Sequence, residues 1–389
     1  MQGERSSRAI VDLAALRSNF ELATELAAGR EVIAVVKADG YGHGAVEVAR
    51  TLALSGCRRL AVVSVDEACE LREAGLSGPI LVLGGVHSPR EAGLAAEFGL
   101  TPVLHDRGGL ERVAAAAAHV RRALPVQVEV DTGMRRMGVA REDALDFLAD
   151  VAAEPAVDLE GVFTHLACAE DPSPDVSLGQ LSDFRALLEA LHGRGVDPGL
   201  VHAANSAGLL AGKLLADALP EAGAVRPGLM LYGACPADHF ADARRLRPAM
   251  SVRARVVTLR AVLAGEAVGY GRSWRATRDT KVATLAIGYE DGVLRSLTGR
   301  GAVWLAGARR PIVGRVSMDY ISVDVGDAPV ELGDEAVFFG PAPGGEGGLP
   351  ATDWPGIPVE EQAAAAGTLA YELLVGVGRR LARQVVDGD

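Results

Sequence analysis

Lysine is scarce in this 389-residue chain: of its 39 basic residues only Lys37, Lys213 and Lys281 are lysines, so each one merits inspection. The four cysteines (Cys57, Cys69, Cys168, Cys235) stand apart without C-x-x-C spacing, which argues against a zinc site or a disulfide framework and fits a reducing compartment. No block of basic residues offsets the formal charge of −12, so a phosphate backbone would meet net repulsion and nucleic acid is excluded as a partner. No run of 18 apolar residues occurs, and MQGERSSRAI at the start lacks an apolar h-region. Neither a membrane span nor export is expected, and the expected location is the cytoplasm. Also missing are a His pair at i, i+4 around an acid, a G-x-G-x-x-G opening a helix, and a serine nucleophile elbow. Catalysis by a bound metal is therefore disfavoured.

What is present is the composition of a folded protein, 49% apolar and 23% charged, with length for two or three domains. Eight apolar, β-rich runs occupy the first 233 residues: 32–36, 60–65, 80–85, 101–105, 126–130, 159–165, 200–205 and 224–233. Segments with helical periodicity separate them, several closed by glycine. This rhythm predicts an α/β fold, an N-terminal (β/α)₈ barrel, with a doubly wound open sheet as the competing arrangement. Beyond about residue 245 closely spaced β runs take over, giving domains at 1–245 and 246–389, the second mostly β. The Gly/Pro-rich stretch 340–358 reads as a surface loop and 358–378 as one helical tail.

In a barrel, reactive side chains gather at the C-terminal ends of the strands. Lys37 directly follows VIAVV and precedes a glycine-rich turn, a poorly solvated place that lowers an amine's pKa and suits Schiff-base chemistry. The competing reading is a lysine whose amine reaches water. His165 ends the sixth run, His202 lies in the seventh, Asn205-Ser206-Ala207-Gly208 follows it, and Arg226 precedes Pro227-Gly228 in the eighth. Small residues and amides near the last two strands suit a phosphate. Each histidine could equally be a hydrogen-bonded core residue.

AVVKADGYGHG closely resembles the pyridoxal-phosphate signature of the alanine racemases, and the similarity continues in order through VDTGMRRMGV, HAANSAG, VRPGLMLYG, AVGYGRSW, RRPIVGRVSMDYISVDV and GTLAYELL. The resemblance implies a barrel plus β domain working as a head-to-tail homodimer with shared active sites, interconverting L- and D-alanine as a peptidoglycan precursor supply. It implies that Lys37 holds pyridoxal 5'-phosphate covalently and serves one face of the substrate Cα, while Tyr270, reaching into the partner's site, serves the other. His165 would support Tyr270, Arg226 would face the pyridine nitrogen, and His202 would back Arg226. Tyr41, Ser206, Tyr371 and the amides of Gly228 and Leu229 would hold the phosphate. Arg136 and the amide of Met318 would meet the substrate carboxylate. Where the family often has a lysine that can be carbamylated, this chain has Glu129, expected to align Arg136 directly. Glu290, Tyr320 and Ala382 also depart from the family pattern, and they keep open a racemase of serine or another small amino acid. A pyridoxal-phosphate carrier without catalysis is the alternative of another class, weakened by the tyrosine in GYGRSW.

Overall fold

The computed structural model describes residues 6–343 and 355–387. After an opening strand β1 (Ser7–Asp12), the apolar runs become β2 (Glu31–Val35), β3 (Arg59–Val62), β4 (Ile80–Val82), β5 (Thr101–Leu104) and β6 (Leu124–Asp131). A two-residue β7 (Val139–Ala140) flanks β6, and β8 (Val157–Thr164), β9 (Leu200–His202) and β10 (Ala224–Val225) follow. Strands β2, β3, β4, β5, β6, β8, β9 and β10 pair in parallel in that order, and β10 returns to β2. The result is a closed eight-strand barrel, not an open sheet. Continuous apolar runs suit it because helices cover the outer face of each strand while side chains fill the interior.

Helices between the strands begin where short polar side chains can satisfy free amides. Ser64 and Ser88 each close a reciprocal capping box, with Glu67 and Glu91, and Pro89 takes the first turn after Ser88. Asp12 does the same for the helix Leu13–Ala27, accepting from the amides of Ala14 and Ala15 at 2.8 and 3.1 Å.

The second domain is built on β11 (Met250–Val262). With Thr280–Leu285, Ile321–Asp324, Ala308–Val313, Ala302–Leu305 and Glu335–Pro341 it forms a six-strand antiparallel ring, closed where Glu335–Pro341 pairs with β11. Strand β1, read from sequence with the barrel, pairs antiparallel with β11, and Ala382–Val386 pairs parallel with β1. Both ends of the described chain thus belong to the second sheet. One continuous apolar core runs through both domains.

The tail is two helices, Val359–Ala366 and Ala370–Val375, because Gly367 adopts φ +77° and its amide closes the first helix on Ala363 and Ala364. Of the stretch expected as a loop, Gly340–Pro341 pairs with Gly356–Ile357, and residues 344–354 lie outside the described residues. Among the described residues no helix is long and apolar enough to cross a membrane.

Asp12 joins β1 to the first barrel helix. Asp12→Ala should cost about 1 kcal/mol through loss of the cap, read as a lower denaturant midpoint with an unchanged slope; an unchanged midpoint would show the cap contributes nothing.

Candidate active site

Five consecutive residues directly after Lys37, from Ala38 to Gly42, have positive φ, between 52° and 81°. Each non-glycine among them (Ala38, Asp39, Tyr41) works against its own Cβ by roughly 1–2 kcal/mol, so neighbouring groups must hold the turn. The Glu67 carboxylate accepts from the Ala38 amide at 2.7 Å while its other oxygen closes the Ser64 cap. Asp39 accepts from the Ala45 amide at 2.8 Å, and His43 Nδ1–H bridges the carbonyls of Gly40 and Tyr41 at 3.1 and 2.9 Å. Arg383, from the last strand of the second sheet, donates to the Gly42 carbonyl at 3.0 Å. Gly42 itself tolerates no side chain: a Cβ would sit 2.2 Å from the Leu374 carbonyl oxygen.

The turn leaves Lys37 half-buried, and among the described residues no hydrogen bond or ion pair occupies its amine. Burial and then the charge of Arg136 pull its pKa below the ordinary lysine value, with Glu67 opposing. Tyr41 is buried and stacks on Tyr232 at 4.7 Å, with the Tyr371 ring 6.1 Å away. Burial pushes the Tyr41 hydroxyl well up and that of Tyr371 up to about 12, so both stay neutral donors. A Cβ on Gly228 would lie 2.4 Å from the Tyr41 hydroxyl, so glycine there lets the phenol approach the backbone. Ser206 Oγ accepts from the amides of Gly228 and Met230 at 2.9 and 3.2 Å, and Leu229 begins the short turn after them.

Arg226 is buried at the end of β10. It donates to His202 Nδ1, to the Thr164 and Ala203 carbonyls at 2.9 and 3.4 Å, and to His165 Nδ1 at 3.4 Å, and its guanidinium lies 4.4 Å from the centre of the Phe163 ring. Burial lowers its pKa to about 10, opposed by the charge of Glu129, so it remains a cation at neutral pH. Burial and then that cation hold His165 at about 3 and His202 well below the ordinary imidazole value. Both rings are therefore neutral acceptors.

Sequence reasoning and structure part at Glu129. It is buried in β6 and meets His105 Nε2 at 3.2 Å, whereas Arg136 is exposed in the following loop, and among the described residues no bond joins the two. Tyr270 and Met318 lie on the second domain, 73% and 50% exposed, and among the described residues no hydrogen bond or ring contact ties Tyr270 to the barrel mouth. Met318 sits in a turn held from behind: its carbonyl accepts from the Glu290 amide and Arg380, while Arg380 grips Asp291 and Asp319. Tyr320 is exposed in the same turn, and Ala382 pairs with Arg8 at a strand edge. Lys37, Tyr41, His165, Ser206, Arg226, Gly228 and Leu229 follow the C-terminal ends of barrel strands, with His202 buried beneath Arg226 and Tyr371 beside Tyr41. Glu67, His105 and Gln127 escaped the sequence reading; only Glu67 left a local signal, the S-x-x-E capping box.

The chain matches the family model "Alanine racemase, N-terminal domain" over residues 11–236 and "Alanine racemase, C-terminal domain" over 249–385. It is 40% identical over 388 residues to an alanine racemase of Sorangium cellulosum, covering 97% of this chain and 98% of that one. An alanine racemase of Mycobacterium ulcerans is 39% identical, with 97% and 94% covered. Among solved structures, the alanine racemase from D-cycloserine producing Streptomyces lavendulae superposes with a TM-score of 0.90 at 35% identity, covering 100% and 99%. The alanine racemase from Bartonella henselae, solved with covalently bound pyridoxal phosphate, gives 0.85 at 29% identity, covering 98% and 99%.

Two buried neutral histidines, His43 and His202, and the half-buried His165 make the fold acid-sensitive. The folded pKa of His43 is held by burial at about 4 against an unfolded 6.5, so the unfolded chain binds more protons between those values and stability falls as pH drops through that window. The slope is up to about 1.4 kcal/mol per pH unit for each such ring. His43→Asn, which keeps a donor for the two carbonyls, should flatten the fall in denaturant midpoint between pH 6.5 and 4; an equal fall would show that His43 titrates normally.

Proposed function

The chain belongs to the alanine racemase family, and on that premise we propose that it interconverts L- and D-alanine with pyridoxal 5'-phosphate held at the barrel mouth and two bases on opposite faces of the substrate. The observation that carries the reading is Lys37: a half-buried amine with a lowered pKa and no partner among the described residues, on a turn held from several sides. The surrounding donors fit the cofactor. Tyr41 and Ser206 supply hydroxyls, Gly228 keeps the space between them free of a side chain, and Tyr371 closes the side. Arg226 is a permanent donor with no contacting carboxylate to neutralise it among the described residues, which suits a ring nitrogen acceptor. These residues, with the amides of Gly228 and Leu229, would hold the phosphate and ring.

When bound, the cofactor supplies an electron sink for the substrate carbanion. Lys37 takes the Cα proton on one face, and Tyr270 of the partner subunit donates its phenolic proton to the other; the reverse reaction exchanges the roles. High exposure of Tyr270 and Met318 in a lone chain supports a homodimer in which each protomer completes the other's site. Arg226, still a cation at neutral pH, would donate to the ring nitrogen without protonating it, which would limit charge delocalisation and side reactions. His165, neutral, links Arg226 towards Tyr270. Arg136 and the Met318 amide of the partner subunit bind the substrate carboxylate. Glu129, held by His105, acts on the charge balance at Arg226 from beneath the mouth. A cytoplasmic enzyme feeding D-alanine to the cell wall is the setting this reading gives.

Incubation with L-alanine and pyridoxal phosphate should produce D-alanine, and a panel including serine should show alanine as the preferred substrate. Lys37→Ala should lose both the visible absorbance of the bound cofactor and activity. Tyr270→Phe should keep the absorbance and lower kcat roughly 10²–10⁴-fold. Activity and absorbance retained in Lys37→Ala would contradict the assignment.

A further inference from the structure

Beneath Arg226 the barrel core holds a file of polar side chains that no step above uses. His202 and Gln127 have no exposed surface. His202 Nε2 meets Gln127 Oε1 at 2.8 Å, and Gln127 Nε2 lies 3.5 Å from Glu160 Oε2. Glu160 Oε1 accepts from Arg59 at 2.8 Å, and Arg59 Nε stands 3.5 Å from Glu31 at the opposite end of the barrel. Phe163 stacks on His202 with ring centres 4.7 Å apart, closing one face of the imidazole. Space for the amide comes from Gly161, where a Cβ would lie 3.1 Å from Gln127 Cδ and 2.6 Å from the Leu200 carbonyl oxygen.

The direction of every link follows from its ends. A guanidinium only donates, so His202 Nδ1 must accept from Arg226 and the ring's single proton must sit on Nε2. Gln127 must then present its oxygen to that proton, which turns its NH₂ towards Glu160, an acceptor anchored by Arg59.

We propose that Gln127 is a positioning residue that accepts the Nε2 proton which Arg226 imposes on His202 and so anchors the ring, and that the Glu160–Arg59 pair fixes the orientation of Gln127 in turn. His202 is thereby held in place as an acceptor for Arg226. A carboxylate at 127 would accept the same proton but bring a negative charge to the ring and to Glu160. It would favour a second proton on the ring, leaving two donors on His202 and a cation facing the guanidinium. An apolar side chain would leave that buried N–H without an acceptor and the ring without its anchor. The link to catalysis rests on the reading that Arg226 faces the cofactor ring; the tautomer itself does not.

Long-range ¹H–¹⁵N NMR of histidine-labelled protein, with and without pyridoxal phosphate, reads the ring protons directly, alongside kinetics. Wild type should show His202 neutral with its proton on Nε2 in both states. Gln127→Glu should show a doubly protonated ring at neutral pH, a changed absorbance spectrum of the bound cofactor, and kcat lowered roughly 10–100-fold, by analogy with the loss of an outer partner of a metal-bound histidine, with KM for alanine little changed. Gln127→Met should keep the single Nε2–H tautomer imposed by Arg226 but lose the hydrogen-bonded shift of that proton, while keeping the fold. A wild-type ring protonated on Nδ1, or doubly protonated, overturns the proposal whatever the variants do. So does Gln127→Glu with a neutral Nε2–H ring and unchanged kcat. An Nε2–H ring in a protein that racemises nothing would support the file and contradict the function, so the two readings fail separately.

Discussion

A guanidinium buried in a barrel core can give hydrogen bonds but never take one, and the polar interior of this molecule is arranged around that restriction at Arg226. Burying a charge is costly unless its donors are satisfied. Here two backbone carbonyls, two imidazoles and the face of Phe163 do so, with the nearest electrostatic compensation coming from Glu129. Burial first, and this fixed cation second, hold His165 and His202 on either side neutral. The constraint passes up through His165 to the barrel mouth and down through His202 and Gln127 to Glu160 and Arg59.

The second constraint is backbone strain beside Lys37. Three non-glycine residues in the left-handed region cost several kcal/mol together by the usual scale, and the turn survives because Glu67, His43, Asp39 and Arg383 each hold a specific amide or carbonyl. Arg383 belongs to a strand that pairs with β1, which in turn pairs with β11. The second domain therefore braces the lysine turn of its own chain, besides presenting the exposed Tyr270 and Met318 that the proposed dimer would use.

The barrel was legible because parallel strands covered on both faces write themselves as largely apolar runs, as in VIAVV and LAVVSV. Strand β1 was not: RAIVD is short, and its partner Ala382–Val386 lies at the far end of the chain. The break in the tail turned on one glycine, whose conformation periodicity does not reveal. Lys37 and the phosphate-side residues stood out by strand-end position and motif together. The His105–Glu129 and Gln127–Glu160 contacts required sheet register, including the irregularity between Val126 and Gln127 against β8, which no local pattern encodes. The expectation that Glu129 touches Arg136 failed for the same reason. The motif fixed its neighbours along the chain but not which adjacent strand its carboxylate would meet.

The central claim is that Lys37 and Tyr270 act in one site drawn from two chains. Equal amounts of Lys37→Ala and Tyr270→Phe protein, each inactive alone, should be mixed under conditions that exchange subunits and assayed for alanine racemisation. Half the dimers would then be mixed, each with one intact site, so activity should return to about a quarter of wild type on the statistics of a symmetric dimer. No recovered activity, with exchange verified by mass, would contradict the shared site and require both groups to act within a single chain.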